Sequence, residues 1–184
     1  MSELLTASFL SAFIIACIAG AVPLMLAAVG ETIGEQAGVL NLGIEGMMLI
    51  GAYTGYVCAI ASHSIWIGML GGAIGGIAIS LVLMVLNVWL GLNQIVLGIA
   101  ITIAGGGITS VLYHNTYGQS QPSIPPDRWQ IPGLSAIPAV GSSIFSQSGV
   151  FWVSILLAVA VAFMLSRTNW GLSIRAAGQQ PSSL

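Results

Sequence analysis

The chain has 184 residues, of which 57% are hydrophobic and only 4% are charged, with a formal net charge of -2 at pH 7. Soluble globular domains carry about 25% charged residues, so this chain has too few charges to cover a water-facing surface. The composition excludes an ordinary soluble domain, and the absence of lysine and of any basic patch excludes a nucleic-acid-binding protein.

Five apolar stretches of about 20 residues are long enough to cross a hydrocarbon core of about 30 Å as α-helices. We therefore predict an all-α, polytopic transmembrane helix bundle. Tryptophans at both ends of the third stretch are typical of membrane interfaces. The predicted helices are about Ala7–Ile33, a second helix ending at Ala61, Trp66–Trp89, Asn93–Leu112 and Val150–Leu165.

The second helix is broken or starts late. Its continuous apolar part, Met47–Ala61, gives only about 22 Å of helix, which is too short to cross the membrane. We expect the helix to begin near Val39, with a break or a helix start at membrane depth over residues 38–46. Irregular backbone at that depth is tolerated only where it is buried in protein or lines a wet cavity.

A change of composition separates the fourth and fifth helices. Five of the seven prolines lie between Pro122 and Pro138, so we predict an extracellular loop over about 113–149 within a transmembrane domain covering 1–165. Arg167 and Arg175 follow the fifth helix, and the excess of positive residues on the cytoplasmic side of membrane proteins places 166–184 in the cytoplasm. Five crossings then place the N-terminus outside.

Three glutamates lie in or beside the first two helices. Glu31 and Glu35 share one helix face and are interpreted as a solvated or paired end of the first helix. Glu45 lies inside the membrane zone, where a carboxylate is costly and marks a candidate functional site. A glutamate in the first turn of a helix opened by Asn41 also complements the helix dipole, so a structural role for Glu45 stays open.

Glycine clusters mark the third and fourth helices. Gly68, Gly72 and Gly76 recur every four residues, which favours close helix packing. Three adjacent glycines at 105–107 each weaken a helix by about 1 kcal/mol, so they mark either tight packing or an unwound segment facing a pathway. Asn93 is either an interfacial cap or a pathway group. The candidate pathway residues are Asn41, Glu45, Tyr53, Asn93, Gly105 and Gly106.

No catalytic constellation is apparent. His63 and His114 lack a partner at metal-ligand spacing, and Cys17 and Cys58 lie in apolar runs as small buried hydrophobes. No glycine-rich loop ends in Gly-Lys-Ser/Thr, the pattern that cradles ATP phosphates. We expect a non-enzymatic chain without a metal or cofactor.

Several stretches resemble one family of transporters. The most extended are Asn41-Leu42-Gly43-Ile44-Glu45-Gly46-Met47-Met48, Asn93-Gln94-Ile95-Val96, Ile131-Pro132-Gly133-Leu134, and Arg167-Thr168 followed by Gly171-Leu172 and Ile174-Arg175-Ala176. Over nearly its whole length the chain resembles the membrane permeases of ATP-binding-cassette (ABC) importers in the branched-chain amino acid, ribose and nucleoside group. It is most similar to the nucleoside and simple-sugar permeases.

The resemblance implies a set of partners and a location. Two permease subunits would pair in the bilayer of a bacterial plasma (inner) membrane, two ATP-binding subunits would dock on the cytoplasmic side, and an extracellular solute-binding (lipo)protein would deliver the substrate. Members of the family are considerably longer, so we expect this chain to be an N-terminal fragment that ends within a coupling loop at 166–184. The residues implied in coupling to the ATPase are Arg167, Gly171, Arg175, Ala176 and Gly178. The alternative is a solvated connector whose arginines only set the topology.

The sequence therefore predicts a permease subunit that translocates a small neutral solute, with a nucleoside as the expected substrate and ATP hydrolysis on separate chains. Two other functions stay open. One is a proton-coupled secondary carrier with Glu45 as the proton relay, and the other is a non-transporting membrane assembly fragment.

Overall fold

The computed structural model describes residues 7–118, 120, 122–123 and 147–179. Within these residues, five helices are long and apolar enough to cross a membrane, which confirms the predicted all-α transmembrane fold. A sixth, shorter helix follows the fifth. The helices are α1 Ala7–Gln36, α2 Ile44–Ser62, α3 Ile65–Met84 (continued by a π-helical turn, Val85–Trp89), α4 Gln94–Tyr117, α5 Gly149–Arg167 and α6 Asn169–Gln179.

The helix ends differ from the predicted ones by a few residues. α1 runs to Gln36 instead of Ile33, and α4 runs to Tyr117 instead of Leu112. The third span ends at Trp89 as predicted, although its last turn is π-helical. Most of the predicted proline-rich loop, at 119, 121 and 124–146, lies outside the described residues, and its extracellular location stays a prediction.

The predicted break before α2 is present, but the expected start near Val39 is wrong. α1 ends in a Schellman motif, in which Gly38 has a φ of 83° and the amide of Val39 donates to the carbonyl oxygen of Gly34 at 2.9 Å. The side-chain oxygen of Asn41 then accepts a hydrogen bond from the amide of Gly43 at 2.9 Å. These two local motifs hold the chain in a turn, so helical backbone resumes only at the first residue of α2.

The chain divides into two compact units. One comprises Gly34–Pro125 and contains α2, α3 and α4, and the other contains α1 as far as Ile33 together with α5 and α6. Large apolar side chains face outward, as expected for helices surrounded by lipid: Leu24, Ile103 and Leu156 are 64%, 71% and 71% exposed.

Close backbone contact holds α2 and α3 together as an antiparallel pair. A Cβ atom at Gly55 would lie 2.9 Å from the carbonyl oxygen of Gly68, and one at Gly72 would lie 3.0 Å from that of Gly51. Lipid provides no hydrophobic drive for helix association, so membrane helices associate where small residues let their backbones approach. The predicted packing role is confirmed for Gly68 and Gly72, whereas a Cβ at Gly76 would meet no described atom within 4 Å.

α4 lies parallel to α2 and contacts it through a second set of glycines. A Cβ at Gly98 would lie 2.8 Å from the backbone nitrogen of Gly43, and one at Gly105 would lie 2.7 Å from the carbonyl oxygen of Gly46. α4 is helical throughout 105–107, so the predicted alternative of an unwound glycine segment is wrong. The contact with α2 explains the glycine at 105, because no side chain fits between the two backbones there.

In the other unit, α6 follows α5 after a sharp bend at Thr168. The Thr168 hydroxyl donates to the carbonyl oxygen of Met164 at 2.6 Å and accepts from the amide of Gly171 at 3.3 Å, so it ends one helix and caps the next. A Cβ at Gly171 would clash with the backbone carbonyls of Met164 and Leu165. The sequence predicted a loop here, and the eleven-residue helix α6 was not expected.

Candidate solute-binding groove

A groove of about 450 Å³ lies between α2 and α4. Ligand sites for small molecules measure about 300–1,000 Å³, so the groove is large enough for one. Each helix contributes residues at positions i, i+3, i+4 and i+7, which is one face of an α-helix. The lining residues are Leu49, Ala52, Tyr53 and Tyr56 from α2, and Gly106, Thr109, Ser110 and Tyr113 from α4.

The glycines of α4 determine both the closeness of the two helices and the width of the groove. Gly105 faces the backbone of Gly46, which brings the helices together. Gly106, one residue on, faces the groove, and a Cβ placed there would meet only the side chain of Leu49, at 3.7 Å. Because Gly106 carries no side chain, the space opposite Leu49 is open.

At one end of the groove, the lining residues Tyr56 and Tyr113 form a ring cluster with Tyr117. The ring of Tyr56 lies 5.7 Å from that of Tyr113 and 5.1 Å from that of Tyr117, the second in an edge-to-face arrangement. Rings at 4.5–7 Å attract one another in such geometries. The Tyr56 hydroxyl also donates to the carbonyl oxygen of Pro122 at 2.7 Å. This end wall is therefore fixed by ring contacts and by a hydrogen bond.

The groove offers hydroxyl groups and no charged side chain among its lining residues. Thr109 donates its hydroxyl to the carbonyl oxygen of Gly105 at 2.6 Å, which satisfies it within its own helix. The hydroxyls of Tyr53 and Ser110 make no hydrogen bond to the described residues. The site can therefore present rings and neutral hydroxyls to a solute. In the part of the chain that the structure describes, no group of three or more His, Cys, Asp or Glu side chains could hold a metal ion.

Of the predicted pathway residues, Tyr53 and Gly106 line the groove and Gly105 packs behind it. Asn93 caps α4, because its side-chain oxygen accepts from the amides of Ile95 at 2.9 Å and Val96 at 3.4 Å. Asn93 is thus the cap that the sequence offered as one of its two interpretations.

Asn41 and Glu45 lie at the other end of α2 from the groove's tyrosines. Glu45 is the second residue of α2 and is exposed on the surface of its unit. The next residue, Gly46, packs against the backbone of Ile101, seven residues into α4 and so about 10 Å along that helix from its start. Glu45 therefore lies beside the interior of another candidate span, and its location inside the membrane zone stays a prediction.

The predicted coupling residues lie at the bend and on α6. Gly171 is buried against the end of α5, whereas Arg167 and Ala176 are exposed. The Arg175 guanidinium donates through Nε to the carbonyl oxygen of Gly171 at 3.3 Å, which holds the side chain along the helix. α6 thus presents exposed positions for contact with another molecule, and Gly171 shapes the bend that places them.

The sequence prediction missed the α4 side of the groove, namely Thr109, Ser110 and Tyr113. The signal is the repeated spacing: residues 49, 52, 53 and 56 on one helix match 106, 109, 110 and 113 on the other. This spacing identifies one polar and aromatic face on each helix, but the sequence alone does not show that the two faces lie opposite each other.

Comparison with known proteins identifies relatives of one kind. The profile of the family described as "Branched-chain amino acid transport system / permease component" matches residues 10–184. A putative glucose ABC transporter permease protein of Haloferax volcanii is 36% identical over 176 residues, covering 95% of this chain and 54% of the relative. The guanosine ABC transporter permease protein of Bacillus subtilis is 34% identical over 185 residues, covering 94% of this chain and 57% of the relative.

A nucleoside ABC transporter permease protein of Lactococcus lactis subsp. cremoris is 29% identical over 170 residues, covering 88% of this chain and 54% of the relative. The chain thus spans about half the length of the curated relatives it matches. No solved structure matches it significantly.

Proposed function

Because this multi-pass membrane chain belongs to the family of branched-chain amino acid transport system permease components, we propose that it works as a permease subunit of an ABC importer for a small neutral solute. The observation that carries the proposal is the groove between α2 and α4. It joins aromatic rings and unsatisfied hydroxyls on two candidate membrane spans, and its lining has no charge. Such a lining suits an uncharged, hydrogen-bonding solute, because an ion would lose its hydration without gaining a partner.

A nucleoside is the substrate that this lining fits best. Tyr53, Tyr56 and Tyr113 offer flat rings to a base, and Ser110 offers a hydroxyl to a base edge or a sugar. Two of the relatives are named for guanosine and for nucleosides, and one for glucose. A simple sugar is the alternative within the same class of neutral solutes.

Membership of the family supports a proposal for the partners and the location. In this proposal a separate ATP-binding subunit hydrolyses ATP, a second permease subunit completes the membrane part, and an extracellular solute-binding (lipo)protein delivers the solute. The chain itself is not an enzyme. It lies in a bacterial plasma membrane with its N-terminus outside and α6 in the cytoplasm, the side indicated by Arg167 and Arg175.

Uptake of radiolabelled guanosine by cells expressing the permease with its ATPase and solute-binding protein tests the proposal. We expect uptake to stop when the ATPase carries an inactivating substitution and to persist when a protonophore collapses the proton gradient. Uptake that depends on the gradient and not on the ATPase would identify a secondary carrier instead. An assembled complex that moves no neutral solute would leave only an assembly role.

A further inference from the structure

We propose that the groove between α2 and α4 binds the base of a nucleoside and that Tyr53 is the ring that stacks on it. This inference rests on the proposed function and adds a discriminating role: the groove separates nucleosides from free sugars of similar polarity. Tyrosine provides three of its eight lining residues. A planar heterocycle gains more binding free energy from such a lining than a pentose does, because every base has an aromatic face that stacks on a ring.

Among the three tyrosines that line the groove, Tyr53 is the one that contacts no other ring and makes no hydrogen bond within the described residues. Tyr56 and Tyr113 are held by one another at 5.7 Å, and Tyr56 is also held by the carbonyl oxygen of Pro122. The ring of Tyr53 makes neither a ring contact nor a hydrogen bond among the described residues. It lies one helical turn before Tyr56 on the same face, so a base above Tyr53 would meet the fixed tyrosine wall with its edge.

Ser110 supplies a polar contact on the opposite wall. Hydroxyls in helices commonly donate to a carbonyl of the preceding turn, and Thr54, Thr109 and Ser154 do so here. Ser110 makes no such bond in the described structure. Its hydroxyl is therefore available to a nitrogen or oxygen on the edge of a base.

The width of the groove gives a direct test through two neighbouring glycines. A Cβ at Gly106 would meet only the Leu49 side chain at 3.7 Å, and one at Gly107 would meet no described atom within 4 Å. Leucine at either position replaces a glycine inside the same helix, but only at 106 does it fill the groove. In the assembled importer we expect Gly106→Leu to reduce guanosine uptake at least about tenfold relative to Gly107→Leu.

Substitutions of Tyr53 test the stacking itself. Removing an aromatic stacking partner costs about 5- to 150-fold in binding of a base, so Tyr53→Ala should raise KM for guanosine at least about fivefold. Tyr53→Phe should retain most of the affinity because it keeps the ring. The KM for ribose, where it is transported, should change less than twofold in both variants, while a general folding defect would lower kcat for both solutes.

Three results would overturn the inference. They are equal guanosine uptake by Gly106→Leu and Gly107→Leu with Tyr53→Ala unchanged, equal losses for guanosine and ribose in Tyr53→Ala, and a wild-type importer that takes ribose but no guanosine. The third result leaves ATP-driven uptake of a neutral solute intact. Absence of any ATPase-dependent uptake by wild type would refute the proposed function itself, so the two failures are distinguishable. If both leucine variants are inactive, the Tyr53 variants decide.

Discussion

Glu45 could act in either of two ways, as a stabilising residue at the start of α2 or as a residue needed for transport, and the two roles predict different effects of neutralising its charge. It is the second residue of α2 and so lies in the first helical turn, where a carboxylate complements the helix dipole and contributes about 0.3–1 kcal/mol. Its neighbour Gly46 packs against Ile101 inside α4, so the carboxylate lies beside the candidate membrane zone. If Glu45 lies inside the membrane zone as predicted, the dipole contribution alone is too small to explain a charge there.

Neutralising the three glutamates one at a time separates these roles. We expect Glu45→Gln to reduce uptake about tenfold or more, because it removes a carboxylate charge beside the candidate spans, where ionisable groups are costly and mark functional sites. Glu35→Gln, at an exposed position in the last turn of α1, is the matched control and should change uptake less than twofold, as should Glu31→Gln. Initial rates of guanosine uptake at equal membrane expression measure the difference. Equal, mild effects of all three substitutions on uptake would show that Glu45 has only a structural role at the start of α2.

At the scale of helices, glycine decides which backbones touch. Contacts through Gly51, Gly55, Gly68 and Gly72 join α2 to α3, and contacts through Gly105 join α4 to α2. Since lipid already surrounds the apolar side chains, the stability of these pairs depends on packing at the glycines more than on burial of the leucines.

Two glycines of one triplet should therefore respond differently to substitution by alanine. A Cβ at Gly105 would lie 2.7 Å from the carbonyl oxygen of Gly46, whereas one at Gly107 would meet no described atom within 4 Å. We expect Gly105→Ala to destabilise the protein by about 1–3 kcal/mol through overpacking. Gly107→Ala should be neutral or stabilise it by up to about 1 kcal/mol through helix propensity. Thermal unfolding in detergent measures both, and equal Tm values would contradict the close approach of α2 and α4.

The exposed side of α6 leads to a prediction about the ATPase. Ala176 is exposed and Ala177 is half-buried, so in a chain lacking Cys17 and Cys58 a cysteine at Ala176 should form the stronger cross-link to a co-expressed ATP-binding subunit. A cysteine at Ser64, between α2 and α3, is the control on the opposite side of the predicted topology. Cross-linking from Ser64 and none from Ala176 would reverse the orientation deduced from the two arginines.

The number of membrane spans and the break before α2 could be predicted from the sequence because both depend on lengths of apolar chain. The start of α2 at Ile44 could not be predicted. It depends on the hydrogen bond to the Asn41 side chain and on the left-handed conformation of Gly38, which together keep the preceding backbone out of the helix. α6 was missed because its eleven residues are polar enough to read as a connector. The groove was half predicted: Tyr53 and Gly106 were candidates, but their juxtaposition depends on a parallel register between helices about fifty residues apart.

On the scale of the whole molecule, the distribution of charge predicts which solutes the proposed permease can move. The five candidate spans contain three glutamates and no lysine or arginine before Arg167, the last residue of α5. A solute on the proposed path through these spans would meet rings, hydroxyls and carboxamides. An anion would meet carboxylates and a low dielectric without a compensating cation, which costs several kcal/mol.

Guanosine and its 5′-monophosphate test this limit with one base and one sugar. The two differ by a phosphate that carries at least one negative charge at neutral pH, so the groove could stack either base, but the spans offer the phosphate no positive partner. We expect ATPase-dependent uptake of guanosine to exceed that of the monophosphate at least about a hundredfold, the factor that corresponds to roughly 2.7 kcal/mol.

Ribose is the neutral control for size, and an anionic amino acid is a second anion without a base. Preference for ribose over guanosine would remove the nucleoside assignment and keep the charge argument. Uptake of either anion at the rate of guanosine would contradict the charge argument, because some cation on the path would then have to neutralise it.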